Sequence, residues 1–95
     1  MSKWHVLVEE CLQLAPTGHQ LSRMLPADDE QAAHRLAEEV AFTYTPVLPR
    51  RFEGRSVFRT SPTELTVAFR ATAKVVPLTY TVIVKVAEWL GDRPA

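Results

Sequence analysis

Apolar residues in the middle of the chain fall at Ala33, Leu36, Ala37, Val40 and Tyr44, the intervals i, i+3, i+4, i+7 and i+11. That spacing marks one face of a 3.6-residue helix and predicts a helix over 27–44. Glu30, Arg35, Glu38 and Glu39 fall on other faces of the same wheel. Asp28 with Gln31 three residues later has the form of a capping box, and Asp29 and Glu30 suit the positive end of the helix dipole. The β-branched and aromatic run Thr43, Tyr44, Thr45, followed by Pro46, stops the helix.

The pattern then changes from a period of 3.6 to a period of two. Ser56 to Thr60 is short and rich in strand formers, and Ser61-Pro62-Thr63 reads as a turn. Leu65, Val67, Phe69 and Ala71 alternate with Thr66, Ala68, Arg70 and Thr72, so one face of this strand is apolar. Pro77 opens a further run in which Leu78, Tyr80, Val82, Val84 and Val86 alternate with Thr79, Thr81, Ile83 and Lys85. Three antiparallel strands in a meander follow, with Ala87 to Leu90 read as a closing helical turn.

The first 25 residues fit two patterns. As a strand, Trp4, Val6 and Val8 alternate with His5, Leu7 and Glu9, Pro16-Thr17-Gly18 turns the chain, and His19 to Leu25 runs back. As a helix, Trp4, Leu7, Val8, Cys11, Leu12 and Ala15 share a face, with Ser2 as cap. The hairpin is preferred, because Trp-His-Val-Leu-Val is rich in strand formers and the turn chemistry is good. Residues 46–55, PVLPRRFEGR, form a connection rich in proline and arginine, with Gly54 permitting a tight turn.

These elements predict one α+β domain over residues 1–95: a small antiparallel sheet in the order β-β-α-β-β-β with one helix packed on a face. The alternative is a helical N-terminal half packed on a three-stranded meander. Either core is small, so stability is expected to be marginal.

Composition narrows the function classes. The 95 residues are 46% apolar and carry no net charge, which excludes wholesale disorder. No run of 18 apolar residues offers a membrane span. Glu9 and Glu10 interrupt the N-terminal run where a secretory leader needs apolar residues, and the single cysteine, Cys11, fits a reducing cytoplasm. The zero net charge hides a division. Residues 1–48 carry three basic residues against seven acidic ones, a balance of −4, and residues 49–95 carry the opposite +4. Such asymmetry can orient a molecule on a partner or on a second copy, although the preferred, plainer reading is a solvated acidic helix and a solvated basic loop.

Candidate chemistry is sparse. Cys11 with His5 or His19, oriented by Glu9 or Glu10, has the residue types of a thiolate pair, but no nucleophile motif surrounds it. A lone cysteine among apolar residues is more often a small buried hydrophobe. His5 and His19 facing each other across the hairpin, joined by Glu9 or Cys11, would supply a partial metal shell without any recognised ligand spacing. His34 lies four residues from Glu30 and from Glu38, which ion pairing explains. Three glycines make no phosphate-cradling loop. No catalytic residue, metal, cofactor or small-molecule substrate is therefore expected.

The most suggestive stretch is PRRFEGRSVFR, in which Arg50, Arg51, Arg55 and Arg59 interleave with Phe52 and Phe58. Guanidinium groups contact phosphates and rings stack on bases, but the glycine and aromatic spacing of an RNA-binding strand is missing. The plainer reading puts Phe58 in the core, Phe52 at a sheet edge, and the arginines on the rim or on the acidic helix. Arg50, Arg51, Phe52, Arg55 and Arg59 are the candidate interaction surface, with Trp4 and Trp89 as alternatives. The expected function is a non-enzymatic cytoplasmic interaction or regulatory module, acting through a sheet edge and this Arg/Phe segment on a protein partner or a second copy of itself. The alternative is an accessory nucleic-acid-binding protein using residues 50–59. No membrane partner is expected.

Overall fold

A computed structural model of the chain describes residues 3–11, 19–46, 52–73 and 76–95. The N-terminal segment is extended. β1 (Trp4–Cys11) and β2 (His19–Ala27) pair antiparallel, from Trp4 opposite Ala27 to Cys11 opposite His19. The helical reading of the N-terminal half is thereby corrected. Five of β1's eight residues, Trp4, Val6, Leu7, Val8 and Cys11, are aromatic, β-branched or apolar, and the strand is paired on both sides at once. The expected turn at Pro16-Thr17-Gly18 lies outside the described residues.

The helix α1 (Glu30–Thr43) starts three residues later than the periodicity suggests. Ala27 is the last residue of β2, and the cap is Asp29 rather than Asp28: its Oδ1 accepts from the Ala32 N–H at 2.7 Å. The Asp28–Gln31 box is thus replaced by a cap one residue further on, and Asp29 also supplies the carbonyl for the first helical bond, from Ala33 N–H. At the other end the Tyr44 N–H closes on the Val40 carbonyl at 2.7 Å before the chain becomes extended towards Pro46.

β3 (Gly54–Ser61), β4 (Glu64–Ala73) and β5 (Val76–Glu88) form the expected meander. The five strands lie in the order β2-β1-β5-β4-β3, every neighbour antiparallel. The helix therefore leads from one edge strand, β2, to the other, β3, across a single face of the sheet. Ala87 to Leu90 is not helical: β5 continues to Glu88, and the Trp89 N–H donates to the Lys3 carbonyl at 2.6 Å. Pairing with β1 offers these backbone groups partners that a single helical turn would leave unmet.

The core fills the space between sheet and helix. Val6 and Val8 of β1, Leu65, Val67 and Phe69 of β4, and Tyr80, Val82, Val84 and Val86 of β5 are buried against Ala33, Ala37 and Ala41. The deepest line of the helix is this alanine row, spaced i, i+4, i+8. The larger Leu36, Val40 and Tyr44 flank it and are partly buried. Small side chains let the helix backbone approach the valine-rich sheet closely, so the bulk at this interface comes mostly from the strands. No helix among the described residues is long and apolar enough to cross a membrane.

Candidate functional site

Because strand side chains alternate, covering one face of the sheet leaves the other open. On β1 the buried Val6 and Val8 alternate with half-buried His5, Leu7 and Glu9. On β5, Ile83, Lys85 and Ala87 take the same open side, and on β4 and β3 Thr66, Ala68 and Phe58 do so. The register of β2 brings Met24 opposite Leu7 and Pro26 opposite His5.

A bulge decides the rest of β2. The pairing shifts between Val8 and Glu9, so that Val8 faces Arg23 while Glu9 faces Leu21, leaving Ser22 as the extra residue. The insertion turns Leu21 to the open face and Ser22 towards the helix, where its Oγ lies 2.9 Å from the Tyr44 hydroxyl. Among the described residues six large apolar side chains are exposed. Phe42 is on the helix; the other five, Leu21, Met24, Phe58, Trp89 and Leu90, lie on the open face or beside it. Met24 is 65% exposed and Leu90 88%.

Four of the open-face residues, His5, Leu7, Met24 and Pro26, combine with the C-terminal segment Ala87–Leu90 and Asp92 to line a groove of about 710 Å³. Trp89 is held there by its indole N–H, which donates to Asp92 Oδ1 at 3.1 Å, and Gly91 with φ +126° supplies the backbone conformation that this bend needs. His5 Nδ1 is buried beside the groove and, among the described residues, is the one buried side-chain polar atom without a hydrogen-bond partner. Charges on the open face are balanced. Lys85 Nζ lies 3.3 Å from Glu9 Oε1, and Glu64 and Arg70 add one charge of each sign.

The basic segment lies differently from what its sequence suggests. Arg55 sits with its Cζ 4.8 Å from the Phe69 ring centroid, and its Nη1 donates to the Ala41 carbonyl in the last turn of α1 at 3.2 Å. Arg59 pairs with Glu38 of the helix at 2.9 Å. Phe52 packs on the core, 5.1 Å from Phe69 and 6.0 Å from Tyr80 between ring centroids. Val57 also packs on the core, so alternation turns Phe58 outward, 54% exposed; it is not the core residue of the plainer sequence reading. Arg50 and Arg51 lie outside the described residues. The segment therefore splits, with Arg55 and Arg59 on the helix side and Phe58 on the open face.

A second polar cluster was not anticipated. Glu10 is only 3% exposed and accepts from two tyrosines, Tyr44 at 2.7 Å and Tyr80 at 2.9 Å. Tyr44 has one hydroxyl proton and gives it to Glu10, so it can only accept from Ser22. The single proton of Ser22 is shared between the Tyr44 hydroxyl at 2.9 Å and the Val8 carbonyl at 3.2 Å. Burial, reinforced by the neighbouring Glu10 carboxylate, holds the Tyr80 hydroxyl well above the usual tyrosine range, and burial raises Tyr44 too. The sequence did hold a signal for this cluster: period two carries the line Trp4, Val6, Val8 on to Glu10, placing a carboxylate on the core face.

The arrangements that need His5 beside Cys11 or His19 are corrected, whereas Cys11 and His19 do lie opposite each other across the hairpin. His5 pairs with Pro26 and Ala87, whereas His19 pairs with Cys11 at the opposite end of β1. Six residues of strand separate the two positions by roughly 20 Å, too far for one metal shell or for a Cys11–His5 pair. Glu10 turns to the tyrosines on the helix side. No group of three or more metal-ligating side chains gathers among the described residues. Comparison with protein families, curated proteins and solved structures finds no match for this chain.

Proposed function

We propose that the protein is a small, non-enzymatic interaction module of the cytoplasm that docks onto another protein surface through the open face of its sheet. The observation that carries this reading is the gathering of Leu21, Met24, Phe58, Trp89 and Leu90 on one side of the molecule. Exposed large apolar side chains are unfavourable in water. Their collection on one side, from Leu21 and Met24 on one edge strand to Phe58 on the other, supports a surface that is covered in use. The groove edged by Trp89 and Leu90 offers the concave, aromatic-rimmed shape in which interface anchors concentrate. Arg55 and Arg59 are engaged with the helix and Phe52 with the core, which favours the open face over the Arg/Phe segment as the contact surface.

A photo-crosslinking side chain placed at Met24, and separately at the exposed Arg35 on the outer side of the helix, tests the proposal in cells. Protein adducts from position 24 and none from position 35 are expected. No adduct from position 24, or equal adducts from both, overturns it. The adduct's mass also separates a second copy of the chain from a different protein.

A further inference from the structure

We infer that the edge strand β3 is completed by the same strand of a second copy, antiparallel to it across a two-fold axis at Phe58. The contact uses the end of the sheet rather than its open face, so it is independent of the docking reading above. Among the described residues β3 is paired on one side, with β4, and it closes the sheet order β2-β1-β5-β4-β3. A free edge presents unpaired N–H and C=O groups, a template that proteins blunt with proline, bulges or charge. The opposite edge, β2, is blunted. Pro26 has no N–H to offer, and the bulge at Ser22 breaks the line in mid-strand. β3, GRSVFRTS, contains no proline, and Gly54 to Arg59 run in unbroken register before a shift between Arg59 and Ser61. Both of its charges are drawn to the helix, Arg55 to the Ala41 carbonyl and Arg59 to Glu38, so neither guards the edge.

Two exposed aromatic rings bracket this edge. Phe58 is 54% exposed on the open side. Phe42, 63% exposed, lies one turn after Glu38 on the same flank of α1, the flank that reaches β3 through the Glu38–Arg59 pair. A strand added to β3 lies between the two rings and satisfies the backbone edge at the same time.

The sequence of β3 supplies its own complement. With the axis perpendicular to the sheet, residues on the same side of the two copies meet, and a register shift of one is excluded. An axis at Phe58 sets Phe58 against Phe58 and Ser56 against Thr60 on the open side, and Val57 against Arg59 on the helix side. Aromatic and hydroxyl pairs are favourable in this position, and no like charges are opposed. An axis at Val57 would oppose Arg55 to Arg59. An axis at Ser56 would oppose Phe58 to Gly54, which has no side chain to pack against it. A strand-on-strand contact is small, so the association is reversible.

Sedimentation equilibrium on the full-length chain in reducing buffer, over a range of concentrations, tests this. The wild type is expected to rise from its 10.7 kDa mass towards twice that value. Phe58→Lys opposes two ammonium groups at the axis and should weaken association by about tenfold or more. Met24→Lys, on the open face at the other edge, should leave it unchanged. Cys11→Ser combined with Phe58→Cys leaves one thiol per chain, opposite its copy with Cβ atoms about 4.5–5.5 Å apart, close to disulfide reach. Mild oxidation should couple these thiols, whereas Cys11→Ser with Met24→Cys should stay uncoupled. Circular dichroism confirms that each variant is folded. A wild type that stays at 10.7 kDa at every concentration overturns the pairing, and the crosslinks from position 24 still decide the docking reading. A dimer weakened by Met24→Lys and untouched by Phe58→Lys overturns the assigned edge. A dimer whose position-58 thiols do not couple overturns the axis at Phe58.

Discussion

The Tyr80 hydroxyl donates to Glu10 Oε1 at 2.9 Å, joining two residues 70 positions apart on the neighbouring strands β5 and β1. Tyr44, arriving from the end of the helix, donates to the other oxygen of the same carboxylate. One side chain of the first strand thus ties the last strand and the helix C-terminus to the sheet.

Glu10→Ala leaves both hydroxyls without this acceptor inside the fold. A loss of about 1–3 kcal/mol is expected in urea denaturation, against about 1 kcal/mol for Tyr80→Phe, which removes one donor and leaves the carboxylate its bond to Tyr44. A Glu10→Ala variant as stable as wild type would show that these hydroxyls find equivalent partners without the carboxylate.

Tyr44 and Tyr80 are the chain's two tyrosines, so ultraviolet titration of tyrosinate reads this cluster without background. Both hydroxyls have folded-state pKa values raised above the ordinary 10 by burial. The stability they contribute is therefore fully present below pH 10 and is lost as pH rises through the higher folded-state values. Tyrosinate absorbance should stay low at pH 10 in the folded protein and rise together with unfolding. A normal titration centred at pH 10 with the circular dichroism intact would contradict the arrangement.

Arg55 and Arg59 look alike in sequence and should behave differently. Arg55→Ala removes a cation–π contact and a donor to the last turn of α1, a loss of about 1–2 kcal/mol. Arg59→Ala breaks an exposed ion pair with Glu38 and should change stability by less than about 0.5 kcal/mol, less still at high salt. Thermal melts at low and high ionic strength distinguish the two, and equal, salt-sensitive losses would refute the assignment.

Ala37 is buried between helix and sheet, and Ala68 lies half-buried on the open face. Ala37→Leu should destabilise by about 1–3 kcal/mol through overpacking, while Ala68→Leu finds room and is tolerated. Comparable urea midpoints for the two variants would place the tight interface elsewhere.

Much of the fold was legible because strands β4 and β5 and the helix each repeat a local period. Leu65, Val67 and Phe69 alternate cleanly and are buried together, as do Tyr80, Val82, Val84 and Val86. The candidate site was less legible. Read as a string, PRRFEGRSVFR is a basic stripe. In the sheet, the packing of Val57 on the core sends Arg55 and Arg59 to the helix side and Phe58 to the other. Leu21 reaches the open face only through the extra residue Ser22, which shifts the register by one.

Periodicity alone determined that β4 and β5 are strands and that α1 is a helix, since that preference is a property of each segment's own side-chain pattern. The first strand fitted both periods until its pairing with β2 and β5 decided it. With a strand there, period two also determined that Glu10 shares a face with Val6 and Val8. Only the tertiary structure decided which face of the sheet the single helix covers, and so which apolar residues remain in water. That choice depends on register, on the bulge at Ser22 and on the crossing of the helix from β2 to β3. These are relations between segments distant in sequence, set by the summed packing of the whole core rather than by any residue's own preference.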